Sequence, residues 1–259
     1  MTPATPSAAD VVKSTDADRD FVLDWLQREH QQHGSGFWSN RNIIARAHDD
    51  GELWVIREND QAVAFQVGDH AADIVSVRHD CRGGGYGTAL FQASLERAVR
   101  DDVNVLEGQC APETSLGFWN RMGFEQYDNW RRPDELRVRR VLPKAFPLPP
   151  DLPRATVTVS FLPERALYSA GETVTPIATY VIEGAVRPDG SVMLSRRALG
   201  LADDEPDSHD LAVRIEIDGN ERILAKGKYA GAAGVKHDWR GDAFFVDIVM
   251  PLTSDEAQR

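Results

Sequence analysis

The first half of the chain switches between helical and strand-like spacing of its apolar side chains. Apolar positions three and four residues apart, such as Val22, Trp25 and Leu26, predict a first helix that Thr15 or Asp16 caps and that ends near residue 31. Two more helices are predicted at 40–48 and 89–100, and a fourth around residue 119. The predicted strands are 10–14, 52–57, 61–67, 71–77, 103–107 and 136–141.

The second half of the chain has short apolar runs that are separated by turn residues. Turn signals at residues 170–171, 188–190 and 218–220 divide several of these runs. The predicted strands are 156–161, 173–182, 211–217, 222–229 and 244–250. Short strands in such succession are typical of an antiparallel β-sandwich or a small β-barrel.

A proline-rich segment lies between the two halves. Residues 143–153 contain five prolines, a composition that favours a semi-rigid linker. We therefore expect an α+β domain over residues 1–144, a linker over 145–154 and a β-rich accessory domain over 155–259. Just before the linker, residues 131–140 carry five arginines, which indicates a solvated edge strand, with partner binding as the alternative.

The most informative stretch is Arg82-Gly83-Gly84-Gly85-Tyr86-Gly87-Thr88, between the strand that ends at Val77 and the helix at 89–100. The first backbone N–H groups of a helix lack partners within the helix, and the helix dipole makes them partly positive. Glycines let the backbone approach a phosphate closely, and Arg82 adds a positive charge. The stretch predicts a pyrophosphate site, with an ordinary glycine-rich hairpin turn as the alternative.

The spacing of this stretch distinguishes it from two known phosphate-binding motifs. It matches neither the dinucleotide fingerprint nor the P-loop, which ends in Gly-Lys-Ser/Thr. Arg82-x-x-Gly85-x-Gly87 instead resembles the acetyl-CoA signature of the GNAT acetyltransferase superfamily, and residues 118–124, Phe-Trp-Asn-Arg-Met-Gly-Phe, are similar to a second motif of that family. The resemblance covers roughly residues 8–144. It implies a mixed twisted sheet with flanking helices and an N-acetyltransferase that uses acetyl-CoA as co-substrate.

The resemblance also implies roles for particular residues. A splay between the fourth and fifth strands would admit the pantetheine arm, which would bond to the backbone of the fourth strand. Asp73 is the first candidate for the base that takes a proton from the acceptor amine, and Glu107 is the second. The implied cofactor-binding residues are Val75, Val77, Arg82, Gly83, Gly84, Gly85, Tyr86, Gly87, Thr88 and Trp119.

Trp119 departs from the family pattern, because the family commonly has a tyrosine there that protonates the departing thiolate. An indole N–H donates a hydrogen bond but does not act as a general acid. Water, Tyr86 or Tyr127 could supply the proton, or CoA could leave as a thiolate. The alternative function is a catalytically weak acyl-CoA-binding sensor whose β-rich domain engages a protein partner.

Composition narrows the classes of partner. The 259 residues carry 29 basic and 41 acidic side chains, a formal net charge of -12, which argues against non-specific nucleic-acid binding. We expect an amine acceptor, either a small molecule or a protein. No run approaches the length of a membrane span and no signal peptide is evident, so we expect a cytoplasmic protein that binds no membrane.

The chain shows no metal-binding pattern. It has only two cysteines, and the ligand-type residues His209, Asp210, His237 and Asp238 are better interpreted as solvated turn residues. We therefore expect no metal. The β-rich domain has no recognised family and could bind a substrate, cover the active site or form a homodimer.

Overall fold

The computed structural model describes residues 5–34, 36–70, 74–128, 132–169, 174–202, 210–239 and 242–251. The chain divides into two compact units, one of residues 1–128 with 133–141 and the other of residues 142–259 with 129–132. The first unit contains the helices α1 to α4: Asp16–His33, Arg41–Asp49, Tyr86–Arg100 and Leu116–Arg121.

Helix α1 begins where its sequence predicts. Thr15 accepts the backbone N–H of Asp18, whose carboxylate in turn accepts the backbone N–H of Thr15 at 2.7 Å, so two donors at the helix start are satisfied. Gly34 ends the helix in the left-handed conformation, with φ 64°. Thr15, rather than Asp16, is therefore the cap.

The strands of the first unit form two separate antiparallel sheets. The first has the order β1-β2-β3-β4, built from Val12–Lys13, Leu53–Glu58, Gln61–Val67 and Ile74–Val77. The second has the order β5-β7-β6, built from Val105–Gln109, Glu125–Tyr127 and Arg137–Val141 as β5, β6 and β7. The predicted order of elements is confirmed, except that the three-residue strand β6 was not predicted.

Apolar side chains cover both faces of the four-stranded sheet. One cluster joins α1 and α2 to the sheet through Trp25, Ile44 and Phe65, all buried. A second cluster includes Ala64 of β3 and Leu90 of α3. The helices therefore flank the sheet on both sides, which fixes the end of β4 against the start of α3.

The arginine-rich strand β7 is central in its sheet, so the prediction of an edge strand was wrong. Arg139 lies opposite Glu107 of β5 and Glu125 of β6, and its Nε is 3.3 Å from the Glu125 carboxylate. Acidic side chains on both neighbouring strands offset the charge of the arginines, which lets a basic strand pair on both edges.

The second unit contains one seven-stranded antiparallel sheet. Its order is β12-β11-β8-β9-β10-β14-β13. Strands β8 to β14 span Arg154–Pro163, Ala178–Val186, Val192–Leu201, Leu211–Ile217, Asn220–Lys226, Val235–Asp238 and Ala243–Val249. The antiparallel arrangement was predicted, but strands β10 and β13 were not. Its core includes a cluster of inward side chains to which Phe161, Leu194 and Phe244 belong.

A buried ion pair joins two strands of this sheet. Arg197 of β10 donates from Nε and Nη2 to the two carboxylate oxygens of Asp247, at 2.7 and 2.6 Å. Its guanidinium also lies 4.0 Å from the centre of the Phe245 ring. Only 4% of the Arg197 side chain is exposed, so the pair is withdrawn from water.

The proline-rich segment lies along this sheet. The Phe146 N–H donates to the Ser195 carbonyl, and the Arg197 N–H donates to the Lys144 carbonyl, both at 2.8 Å. Farther along, the Val186 N–H donates to the Pro153 carbonyl at 2.8 Å. The segment is thus held by backbone hydrogen bonds at both of its ends.

Candidate functional site

The glycine-rich stretch connects the end of β4 to the start of α3. A short 3₁₀ turn, His79–Cys81, follows β4, and Gly83 and Gly85 then take positive φ values of 83° and 88°. Residues with a Cβ disfavour this conformation, which explains glycine at both positions. Helix α3 begins at Tyr86, three residues earlier than predicted.

The start of α3 presents a group of backbone donors. Residues 86–88 form the first turn of the helix, where no carbonyl lies one turn earlier to accept their N–H groups. Across the described residues, no protein acceptor receives the N–H groups of Gly83, Gly85, Tyr86, Gly87 or Thr88. Such a group of free donors at a helix N-terminus is suited to an anion.

Gly84 keeps the start of α3 compact. A Cβ at Gly84 would lie 2.8 Å from Cε2 of Tyr86, which is too short for a side chain unless the Tyr86 ring moves. A Cβ at Gly87 would lie 3.4 Å from Cε2 of Phe118 on α4, which is an ordinary van der Waals contact. The packing around the start of α3 therefore requires glycine at position 84 and not at position 87.

Arg82 is the basic residue of the stretch. Its Nε donates to the Val77 carbonyl at 3.1 Å, which folds the side chain back toward the end of β4. Its Nη2 lies 3.9 Å from a carboxylate oxygen of Glu29, and 57% of the side chain is exposed. Arg82 can therefore direct its remaining N–H groups toward a ligand at the helix start.

Tyr86 contributes a hydroxyl as well as a backbone donor. The hydroxyl donates to a carboxylate oxygen of Glu58 at 3.0 Å. Burial and the neighbouring carboxylate both raise the pKa of Tyr86. The hydroxyl therefore holds its proton in a hydrogen bond to Glu58, at the end of β2.

The two sheets of the first unit separate between β4 and β5. Strand β4, which carries Val75 and Val77, pairs with β3 through Gln66 and Ala64. In the described part of the chain, the other edge of β4 pairs with no strand. The splay that the family resemblance implies is present, and it leaves one edge of β4 open beside the glycine-rich stretch.

The two predicted bases stand differently in the structure. Asp73 lies outside the described residues. Glu107 lies on β5 with 23% of its side chain exposed, and one of its oxygens is 3.6 Å from Nη2 of Arg137. The guanidinium of Arg137 also interacts with Tyr127, so it joins the second candidate base to one of the candidate proton donors.

Trp119 of α4 lies in a cluster of aromatic side chains. Its ring packs against Phe124 and Phe91, at centroid distances of 5.0 and 6.5 Å, and 6% of the residue is exposed. The ring is thus a buried packing element. Its predicted contact with the cofactor stays a prediction.

Glu29 was missed by the sequence analysis. It lies on α1, four residues after Trp25, and therefore on the same face as the buried side chains of that helix. Its Oε1 accepts the backbone N–H of His79 at 2.7 Å. A carboxylate at helical spacing from Val22, Trp25 and Leu26 was the signal that could have identified it.

Other classes of site find little support in the described ranges. No three His, Cys, Asp or Glu side chains there gather in a way that could hold a metal ion. His237 contacts Asp242 at 3.2 Å and stacks on Phe244, and His209 lies outside the described residues. None of the helices in these ranges is long and apolar enough to cross a membrane.

Comparison with protein families gives a match that contains the glycine-rich stretch and the elements on either side of it. Residues 49–126 match the family model of the acetyltransferase (GNAT) domain. The matched range includes β4, the glycine-rich stretch, α3 and Trp119. No curated protein matches the chain in sequence.

Several solved structures are similar to about half of the chain. A ribosomal-protein-alanine N-acetyltransferase from Brucella melitensis is 18% identical, with a TM-score of 0.39, over 51% of this chain and 99% of its own. A PaiA N-acetyltransferase from Thermoplasma acidophilum, in complex with coenzyme A, is 9% identical, with a TM-score of 0.40, over 51% and 98%. An acetyltransferase of the GNAT family from Bacillus cereus is 17% identical, with a TM-score of 0.39, over 51% and 95%.

Proposed function

We propose that the protein transfers an acetyl group from acetyl-CoA to an amine, which is a small molecule or a protein, because residues 49–126 match the model of the GNAT acetyltransferase domain. The free N–H groups at the start of α3, next to Arg82, carry this proposal. They offer several donors and a positive charge within one short stretch, which fits a pyrophosphate.

In this proposal the cofactor lies along β4 and ends at α3. The N–H groups of Gly83 and residues 85–88 and the side chain of Arg82 hold the pyrophosphate. The open edge of β4, at Val75 and Val77, takes the amide groups of the pantetheine arm, as an added strand would. Gly84 contributes by leaving room, since its own N–H already donates to the Cys81 carbonyl.

The proposed reaction is a direct attack of the amine on the thioester. The new C–N bond forms as the C–S bond breaks, and the thiol of CoA leaves as a thiolate or takes a proton. A base removes the proton that the ammonium form carries, and Asp73 or Glu107 fills this role. Glu107 lies near the Arg137 guanidinium, which links it to Tyr127.

The first test is thermal unfolding with and without acetyl-CoA or CoA, for wild type and Gly85→Glu. At about one hundred times its dissociation constant, a ligand stabilises the native state by about 2.7 kcal/mol. We expect this shift in wild type and its loss in Gly85→Glu. Gly51→Glu is the control for backbone strain, because Gly51 also has a positive φ, 72°. A Cβ at Gly85 would in addition contact Cγ2 of Thr5 at 3.4 Å, whereas one at Gly51 would meet open space.

The control separates backbone strain from loss of the site. Both substitutions place a glutamate in the left-handed region, and only one of them does so at the start of α3. If wild type shows no shift with millimolar ligand, or if Gly85→Glu keeps the full shift, the proposal is wrong.

A second candidate function is an acyl-CoA sensor with weak catalysis. The burial of Trp119 in an aromatic cluster favours it, because an indole there cannot protonate a leaving thiolate. Release of CoA in the presence of a panel of amines distinguishes the two functions. Acyl transfer that is lost in Asp73→Ala would exclude the sensor.

We also propose that residues 155–259 form a β-rich accessory domain behind the proline-rich segment. The seven-stranded sheet with its own apolar core supports this division. Binding of the acceptor, covering of the active site and homodimerisation are its candidate roles. Sedimentation at several protein concentrations tests the last of these.

A further inference from the structure

Glu29 connects α1 to the glycine-rich stretch. Its side chain, 13% exposed, projects from the buried face of α1 toward the end of β4. Oε1 accepts the His79 N–H at 2.7 Å, and Oε2 lies 3.9 Å from Nη2 of Arg82. One carboxylate therefore contacts both the turn that precedes the glycines and the arginine that begins them.

The two contacts have opposite consequences for an anionic ligand. The hydrogen bond to His79 fixes the backbone of the turn, which preorganises the donors that follow. The negative charge near Arg82 competes with a phosphate for the same guanidinium and lowers the local positive potential. The first contact favours binding, and the second opposes it.

We propose that Glu29 is a positioning residue that sets the affinity for the CoA pyrophosphate in these two ways. It holds the turn through one oxygen and restrains Arg82 through its charge. Binding of the pyrophosphate replaces Glu29 as the partner of Arg82, while the hydrogen bond to His79 stays in place. The inference rests on the proposed use of the glycine-rich stretch for acetyl-CoA.

The two roles separate in two substitutions of the same residue. Glu29→Gln keeps an oxygen for the His79 N–H and removes the charge, so CoA should bind about threefold more tightly, and less so in high salt. Glu29→Ala also removes the acceptor, so CoA should bind roughly tenfold more weakly than to Glu29→Gln. Calorimetric titration with CoA measures both effects.

Glu96→Gln is the matched control for the change in charge. Glu96 is exposed on α3, the same helix that begins at the free donors, and lies ten residues after Tyr86. Its substitution should leave the affinity for CoA unchanged within about 1.5-fold, because surface charges this far apart are largely screened. A tightening equal to that of Glu29→Gln would assign the effect to net charge and overturn the inference.

Amide hydrogen exchange tests the anchoring without ligand. In Glu29→Ala the N–H of His79 should exchange roughly tenfold faster, and in Glu29→Gln it should stay protected. Unfolding curves of each variant check that the fold is intact, and the near-isosteric Glu29→Gln serves as the test if Glu29→Ala is unstable.

The outcomes distinguish this inference from the proposed function. If wild type binds CoA and both Glu29 variants match it, the role of Glu29 alone is overturned. The same holds if both variants shift the affinity in one direction. If wild type binds no CoA, the proposed function fails, and the role of Glu29 fails with it.

Discussion

Arg82 and Arg197 show that the surroundings of a guanidinium determine whether it stabilises the fold or is available to a ligand. Arg197 is 4% exposed, gives two hydrogen bonds to Asp247 and lies over Phe245, so its binding capacity is used within the protein. Arg82 is 57% exposed and gives one hydrogen bond, to the Val77 carbonyl, beside a row of free backbone donors. The first arginine stabilises a sheet, and the second is available to a ligand.

The largest effect on stability is expected from breaking the ion pair between Arg197 and Asp247. Arg197→Ala leaves Asp247 buried without its cation, which should lower the free energy of unfolding by about 3–5 kcal/mol. Chemical denaturation measures this change. Arg196→Ala, at an exposed neighbouring position of the same strand, should have little effect. Equal losses of stability in Arg197→Ala and Arg196→Ala would show that the ion pair with Asp247 is not the cause.

A second ion pair, between Asp18 and Arg57 in the same unit as Arg82, should make stability depend on pH. Burial would raise the pKa of Asp18, and hydrogen bonds from Arg57 and Thr15 outweigh it and lower the pKa to about 2. This stabilisation, about 2 kcal/mol, is full above the ordinary pKa near 4 and is lost as pH falls from about 4 to 2. Asp18→Asn should therefore lose it near neutral pH and resemble wild type in acid.

Asp20→Asn is the control for this experiment, because Asp20 lies on the same helix with 68% of its side chain exposed. Unfolding curves over a pH series give the comparison. If the difference between Asp18→Asn and wild type does not shrink in acid, the ion pair is not the source of the stability.

Arg82→Ala should weaken ligand binding and leave stability almost unchanged, in contrast to Arg197→Ala. Its free energy of unfolding should change by less than about 0.5 kcal/mol, because the side chain is largely exposed. Its dissociation constant for CoA should rise about tenfold, since a charge-assisted hydrogen bond to phosphate is lost. Arg46→Ala, which removes an 83% exposed arginine from α2, supplies the control. An unchanged CoA affinity would remove Arg82 from the site.

The smallest effect is expected from Tyr86→Phe. The hydroxyl bonds to Glu58, while the proposed contact with CoA uses the backbone N–H, which phenylalanine retains. The affinity for CoA should stay within about twofold, and the free energy of unfolding should fall by about 1 kcal/mol. Tyr229→Phe, at a 72% exposed tyrosine, is the reference. A large drop in the rate of acetyl transfer would instead make Tyr86 the proton donor.

The sequence was most informative where a residue type has few alternative uses. Gly83 and Gly85 mark positive φ values, and Thr15 and Gly34 mark the ends of α1, so these positions were predictable. The start of α3 was misplaced because glycine and threonine are poor helix formers. Strand β10 was missed because Ser195, Arg196 and Arg197 interrupt its apolar run at a bulge.

Contacts between distant segments were beyond the reach of local patterns. The bond from His79 to Glu29 spans fifty positions, and nothing in the spacing of either segment specifies it. The ion pair of Arg197 and Asp247 likewise joins residues fifty positions apart. Charged residues on apolar stripes indicate that a partner exists, and the fold determines which residue it is.

The backbone hydrogen bonds of the proline-rich segment decide where the β-rich part of the chain can be cut. At the bulge of β10, Ala145 forms a bridge with Arg196, and Lys144 and Phe146 satisfy the backbone groups on either side. A fragment that starts at residue 155 would expose those groups to other chains and invite aggregation. An expression fragment of the seven-stranded sheet should therefore begin before Lys144.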